Sequence, residues 1–143
     1  METTNETRAI VAVTVDISVE WYKSRTWGYC PRAEVRLYLK DTDGRSSFEL
    51  LEGKASGYGY DKLSAAIAQA VNKSEAFCQF LAENYAYAIA DQYGIAVRNG
   101  KASFSPGVGV ECFNRFAKNN GSQEPIHKSG KMYDAIEWKF SAK

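Results

Sequence analysis

The chain has 143 residues, 45% of them hydrophobic, with 18 basic against 17 acidic side chains and a net charge of +1. That is enough chain and apolar content for one packed core, and the balanced charge excludes a polyanion mimic and a strongly basic nucleic-acid coat. No apolar run approaches the roughly 20 residues of a membrane-spanning helix.

The start, METTNETRAI, lacks the basic-then-apolar pattern of a secretory leader, so a cytoplasmic protein is expected. Residues 1–8 are polar and are expected to be disordered, with a single domain over 9–143. From there Val11, Val13, Val15, Ile17, Val19 and Trp21 alternate with Ala12, Thr14, Asp16, Ser18 and Glu20. A period of two with β-branched residues predicts a strand with one buried and one wet face. Ala33, Val35, Leu37 and Leu39 repeat the pattern against Arg32, Glu34, Arg36 and Lys40, and Pro31 stands just before this second strand. Residues 22–31 between the two read as a protruding, Trp-rich loop. DTDG at 41–44 is a turn, and Phe48 and Leu50 open a third strand of an antiparallel meander.

At Asp61 the period changes. Leu63, Ala66, Ile67, Ala70 and Val71 share one helical face, and Asp61 suits the N-cap. NKSE at 72–75 breaks the chain, and Ser74 caps a second helix with the stripe Phe77, Leu81, Tyr85, Ala88 and Ile89, closed near Gly94. IAVRNGKASF centres on Asn-Gly, the preferred pair for a tight hairpin. Val110, Phe113, Phe116 and Ala117 lie at helical spacing with Gly121 as stop, SQEPIHKSGK reads as a loop, and Met132, Ile136, Trp138 and Phe140 mark a closing strand. The expected fold is α+β: an antiparallel sheet, made of a three-strand N-terminal meander, a central hairpin and a C-terminal closing strand, with two or three helices on one face.

Two helices are preceded by glycine-rich backbone, SGYGY at 56–60 and SPGVG at 105–109. Free N–H groups and the positive end of the helix dipole make such starts good anion holders. The candidate ligand-binding residues are therefore Gly57, Tyr58, Gly59, Tyr60 and Lys62 at the first start and Gly107, Gly109 and Arg115 at the second. Tyrosines would stack on a base and Lys62 and Arg115 would add charge. Neither stretch is a Walker A loop or a dinucleotide fingerprint, and glycines that only turn the chain are the bland reading of the same residues.

The run GYGYDKLSAAIAQAVN, a second helix, then GVGVECFNRFAK and a closing aromatic strand resembles a group of small uncharacterised phage and prophage proteins. The resemblance covers roughly residues 32–140 and is strongest at 57–72. It implies a phage context. In size and style the chain is also similar to the phage anti-defence sponge proteins of the Thoeris anti-defence class, which sequester the nucleotide signals of bacterial immune systems. No motif of that class matches residue by residue, so the resemblance transfers no pocket residues.

A second candidate surface is EWYKSRTWGYCPRAEVRLYLK, where Arg25, Trp27, Arg32 and Arg36 stand among other basic and aromatic residues. Basic groups can hold phosphates while aromatics stack on bases. The bland reading is a solvated sheet face with cross-strand ion pairs to Asp16 and Glu20. Catalysis finds little footing. His127 is the lone histidine, Cys112 with His127 is the one conceivable dyad, and no nucleophile elbow occurs. Cys30, Cys78 and Cys112 are scattered without a CxxC, which argues for reduced thiols and against a disulfide framework or zinc site. The expectation is thus a non-enzymatic binding protein without cofactor or metal. It would sequester an anionic, nucleotide-like ligand, a host immune signal, and would act as a homo-oligomer. The alternative is an inhibitor that grips a host protein or single-stranded nucleic acid through segment 20–40.

Overall fold

A computed structural model describes residues 9–26, 28–57, 60–89, 93–107, 110–129 and 132–142. The alternating segment forms β1 (Ile10–Ser24), followed by β2 (Gly28–Asp41) and β3 (Ser46–Lys54) as an antiparallel meander. Two helices follow, α1 (Tyr60–Val71) and α2 (Glu75–Ile89), then the short strands β4 (Ile95–Arg98) and β5 (Lys101–Phe104). Helix α3 (Val110–Asn120) leads into β6 (Ser122–Ser129) and β7 (Met132–Ser141). The main sheet has five strands in the order β3-β2-β1-β7-β6, and the β4–β5 hairpin is a separate two-stranded sheet. This is the α+β architecture the patterning implies, with the hairpin set apart from the main sheet.

The register explains the core. Val13, Val15 and Ile17 face Leu39, Leu37 and Val35 on one side and Phe140, Trp138 and Ile136 on the other. These rows are buried together with Leu63, Ile67, Phe77, Leu81, Tyr85, Phe113 and Phe116 from the helices. The residues that alternate with them, Thr14, Asp16 and Ser18, stand opposite Tyr38, Arg36 and Glu34 on the other face. The helices therefore lie on one face.

Local chemistry fixes the helices. Ser74 Oγ accepts the Phe77 N–H at 3.1 Å, the N-cap that starts α2. Gly53 lets α1 sit directly on β3, because a Cβ there would come within 1.8 Å of the Ala66 carbonyl oxygen. The β4–β5 turn uses Asn99 and Gly100 with φ of 54° and 75°, the pair of positive angles that a tight two-residue hairpin requires.

Two expectations are corrected. SQEPIHKSGK is not a loop over its first eight residues: Ser122–Ser129 is β6, paired with β7. Pro125 fits there because β6 ends the sheet among the described residues, where one side of the strand needs no ladder bonds. Residues 22–31 are not a loop either. β1 runs on to Ser24 and β2 begins at Gly28, so Pro31 lies inside β2 opposite Trp21. The pairing of β1 with β7 stops at Ser18, so the far end of the β1–β2 hairpin runs on without pairing to β7. The expected N-terminal disorder falls on residues 1–8, outside the described residues.

Candidate functional site

The first glycine-led start is partly built into the fold. Gly57 has φ 113°, and its N–H donates to Cys30 Sγ at 3.3 Å. That N–H is therefore occupied by the protein. The Lys62 stem lies against Gly57, with Cε 3.2 Å from where a Cβ would stand. Tyr58 and Gly59 lie outside the described residues, as do the side chains of Tyr60 and Asp61. At the second start, Gly107 donates its N–H to Ser105 Oγ at 3.2 Å, Arg115 is exposed on α3, and Gly109 lies outside the described residues.

The two starts leave from opposite ends of α1. Gly57 precedes its N-terminus. Asn72, just past its C-terminus, clamps Phe104 ahead of the second start: Nδ2 donates to the Phe104 carbonyl at 2.9 Å, and Oδ1 accepts the Phe104 N–H at 2.8 Å. A 12-residue helix spans about 18 Å.

The same Asn72 clamp joins two segments that are distant in sequence, and between them lies a cleft of about 360 Å³. Asn72, Lys73 and Glu75 line it from the α1–α2 turn, and Arg98, Lys101 and Ser103 line it from the hairpin. A second hollow of about 420 Å³, which reaches to Gly94, Ala96 and Ser105, shares Arg98 and Ser103. Three cations and the Glu75 carboxylate thus line the cleft beside the N-terminal end of α2, and the Glu49 carboxylate is within electrostatic reach of Cys78. Lys101 pairs with Glu75, which holds the Glu75 carboxyl below its usual range. Lys73 Nζ donates to the Glu52 carbonyl at 2.7 Å. Cys78 borders the cleft, but burial pushes its thiol up to about 11, so it stays protonated and a poor nucleophile at neutral pH. Both segments were visible in the sequence as a helix break and a turn. Nothing in the one-dimensional pattern brings Lys73 to Arg98, because the Asn72–Phe104 clamp spans 32 positions.

The basic segment reads differently in three dimensions. Arg25 is exposed at the tip of the β1–β2 hairpin, and Trp27 lies outside the described residues. Arg32 is held by Glu20 at 3.3 Å, by Glu52, and by Glu34 at 4.0 Å. The hydrogen bond from Arg32 lowers the pKa of the Glu52 carboxyl, and Glu52 raises that of the guanidinium. Arg36 stands opposite Asp16 in register, yet its guanidinium pairs with Glu34 and reaches Ser18 at 3.5 Å. Asp16 Oδ1 is enclosed without a hydrogen-bond partner among the described residues. The charges of Arg32 and Arg36 are thus answered within the sheet.

Cys112 is half-buried against the core, and the side chain of His127 lies outside the described residues. Among the described residues, no group of three or more His, Cys, Asp and Glu side chains gathers as a metal site would require. No described helix is long and apolar enough to cross a membrane. No family model, curated protein or solved structure matches the chain.

Proposed function

We propose that this protein binds a small anionic ligand of the phosphate-bearing, nucleotide-like class without transforming it. The observation that carries the reading is the cleft between the α1–α2 turn and the β4–β5 hairpin, lined by Lys73, Arg98 and Lys101 together with Glu75. Its volume of about 360 Å³ falls in the range of small-molecule sites. Arg98 offers a planar fork for a phosphate, and the lysines supply charge around it. Ser103, which also lines the cleft, offers a hydroxyl. The glycine-led starts, with Lys62 and Arg115, rank behind the cleft, because the Gly57 and Gly107 N–H groups are already taken by Cys30 and Ser105. In the phage context that the resemblance implies, the ligand is a signal of host immunity, and binding withholds it.

The test is calorimetric titration and thermal shift with a panel of linear and cyclic nucleotides and inorganic pyrophosphate. At least one compound raises the melting temperature, and Arg98→Ala and Lys101→Ala abolish the shift while their circular dichroism stays native. Binding weakens with added salt, as expected for partly exposed charges. A panel without any shift, or binding that both substitutions leave intact, contradicts the proposal.

A further inference from the structure

β3 ends the main sheet among the described residues. In an antiparallel ladder, alternate residues turn their backbone groups toward opposite sides. The Lys54 N–H donates to Gln69 Oε1 at 3.0 Å, and the Glu52 carbonyl accepts from Lys73. The Ala55 N–H on the other parity bonds the Pro31 carbonyl of β2. Hence the even-numbered backbone groups of β3 point away from β2. Side chains from α1 and the turn after it cap this outer edge at Glu52 and Lys54. The outward groups of Ser46, Phe48 and Leu50 have no such cover among the described residues.

The same half of the strand carries an apolar patch on the face that the helices leave bare. Phe48 and Leu50 are 53% and 52% exposed, and Tyr38 on β2 is 42% exposed. Tyr38 and Phe48 are register partners with ring centroids 5.2 Å apart. An open edge beside exposed apolar side chains is a template for another strand.

We infer that a second copy of this chain fills it, by antiparallel β3–β3 pairing about a two-fold axis at Phe48. Identical edges make the isologous contact of a closed dimer, and the register is selected by what is already occupied. An axis at Leu50 sets Phe48 against Glu52 and Ser46 against Lys54, whose outward groups are taken. An axis at Glu49 places the two Glu49 carboxylates face to face and again uses Glu52. An axis at Phe48 uses only open positions: Phe48 meets its own copy, and Ser46 meets Leu50. Each facing pair exchanges two backbone hydrogen bonds. On the bare face Tyr38, Phe48 and Leu50 then merge with their symmetry mates into one apolar strip. On the other face Arg45 falls diagonally across from Glu49 of the second copy, within the reach of a long side chain. An axis at Ser47 sets Leu50 against Gly44, whose N–H is held by the Asp41 carbonyl, so edge bonds, apolar strip and charge complementarity fit the Phe48 register.

The experiment is sedimentation velocity of the whole chain across micromolar concentrations, with circular dichroism on every variant. The wild type sediments as a dimer. Phe48→Lys, which sets two ammonium groups face to face at an exposed position, sediments as a folded monomer. Arg45→Glu weakens the dimer by roughly fivefold, and the exchange Arg45→Glu with Glu49→Arg restores it, which a purely structural role for either residue does not produce. A wild type that stays monomeric at high micromolar concentration overturns the inference. So does a dimer indifferent to Phe48→Lys, or an exchange variant no tighter than Arg45→Glu alone.

Discussion

The two faces of the main sheet are cut from the same strands, yet they are held by different physics. On the covered face Val15, Leu37 and Trp138 lie in a row under three helices and are closed to solvent. On the bare face, one residue along, Arg32 gathers Glu20, Glu34 and Glu52, and Tyr38 and Phe48 stand in water. The covered face owes its stability to apolar area removed from water and to close packing. The bare face carries ion pairs in high dielectric, which add little to stability, and an exposed apolar patch of Tyr38, Phe48 and Leu50. Substitutions on the two faces should therefore differ in kind: those beneath the helices unfold the chain, and those on the bare face change what it associates with.

The largest expected effect is at the contact of α1 with the sheet. Gly53→Ala places a methyl group inside the van der Waals distance of the Ala66 carbonyl, so α1 must move, at a cost of about 3 kcal/mol. Urea denaturation measures it, and a loss below roughly 1 kcal/mol would break the claim that α1 rests directly on β3. Next is Tyr85→Phe. The buried phenol donates to the Ser141 carbonyl at 2.6 Å and accepts the Ser141 N–H at 3.2 Å, tying α2 to the end of β7. Its loss destabilises by about 1–2 kcal/mol in the same assay. On the bare face Leu50→Ser changes monomer stability by no more than about 0.5 kcal/mol, and a larger loss would mean that the bare face is part of the core.

A pH experiment sharpens the comparison further. Burial raises the Cys78 thiol from 9.0 to about 11. Because the folded value lies above the unfolded one, the stability held by the neutral thiol is complete below pH 9.0 and is lost as pH rises toward about 11. Wild type and Cys78→Ala should therefore keep a constant stability difference up to that window, and the wild type should lose more within it. The smallest effect is expected at the cleft rim. Glu75→Gln releases Lys101 and tightens anion binding a few-fold, by about the small worth of one exposed pair, as read by calorimetry.

Much of the fold was legible in the sequence because it rests on period. The alternation through β1 and β2 gave the strands and their buried rows, and the Asn-Gly pair and Ser74 marked a hairpin and a cap by chemistry alone. β6 was not legible: SQEPIHKS has no alternation and contains a proline, both permitted because the strand stands at an edge. The face that Phe48 and Leu50 occupy was hidden as well. On β3 the residue under α1 is Gly53, so the covered side of the strand reads as less apolar than its bare side. Of the candidate binding residues, the glycine-led starts were visible as motifs. The basic cleft was not, since it exists only where Asn72 brings the end of α1 to Phe104.

The most direct test of the account is native mass spectrometry of the chain with nucleotides added, run beside the double variant Arg98→Ala/Lys101→Ala. The cleft reading predicts stoichiometric uptake of a nucleotide by the wild type and none by the variant. No uptake by either, or equal uptake by both, would contradict it.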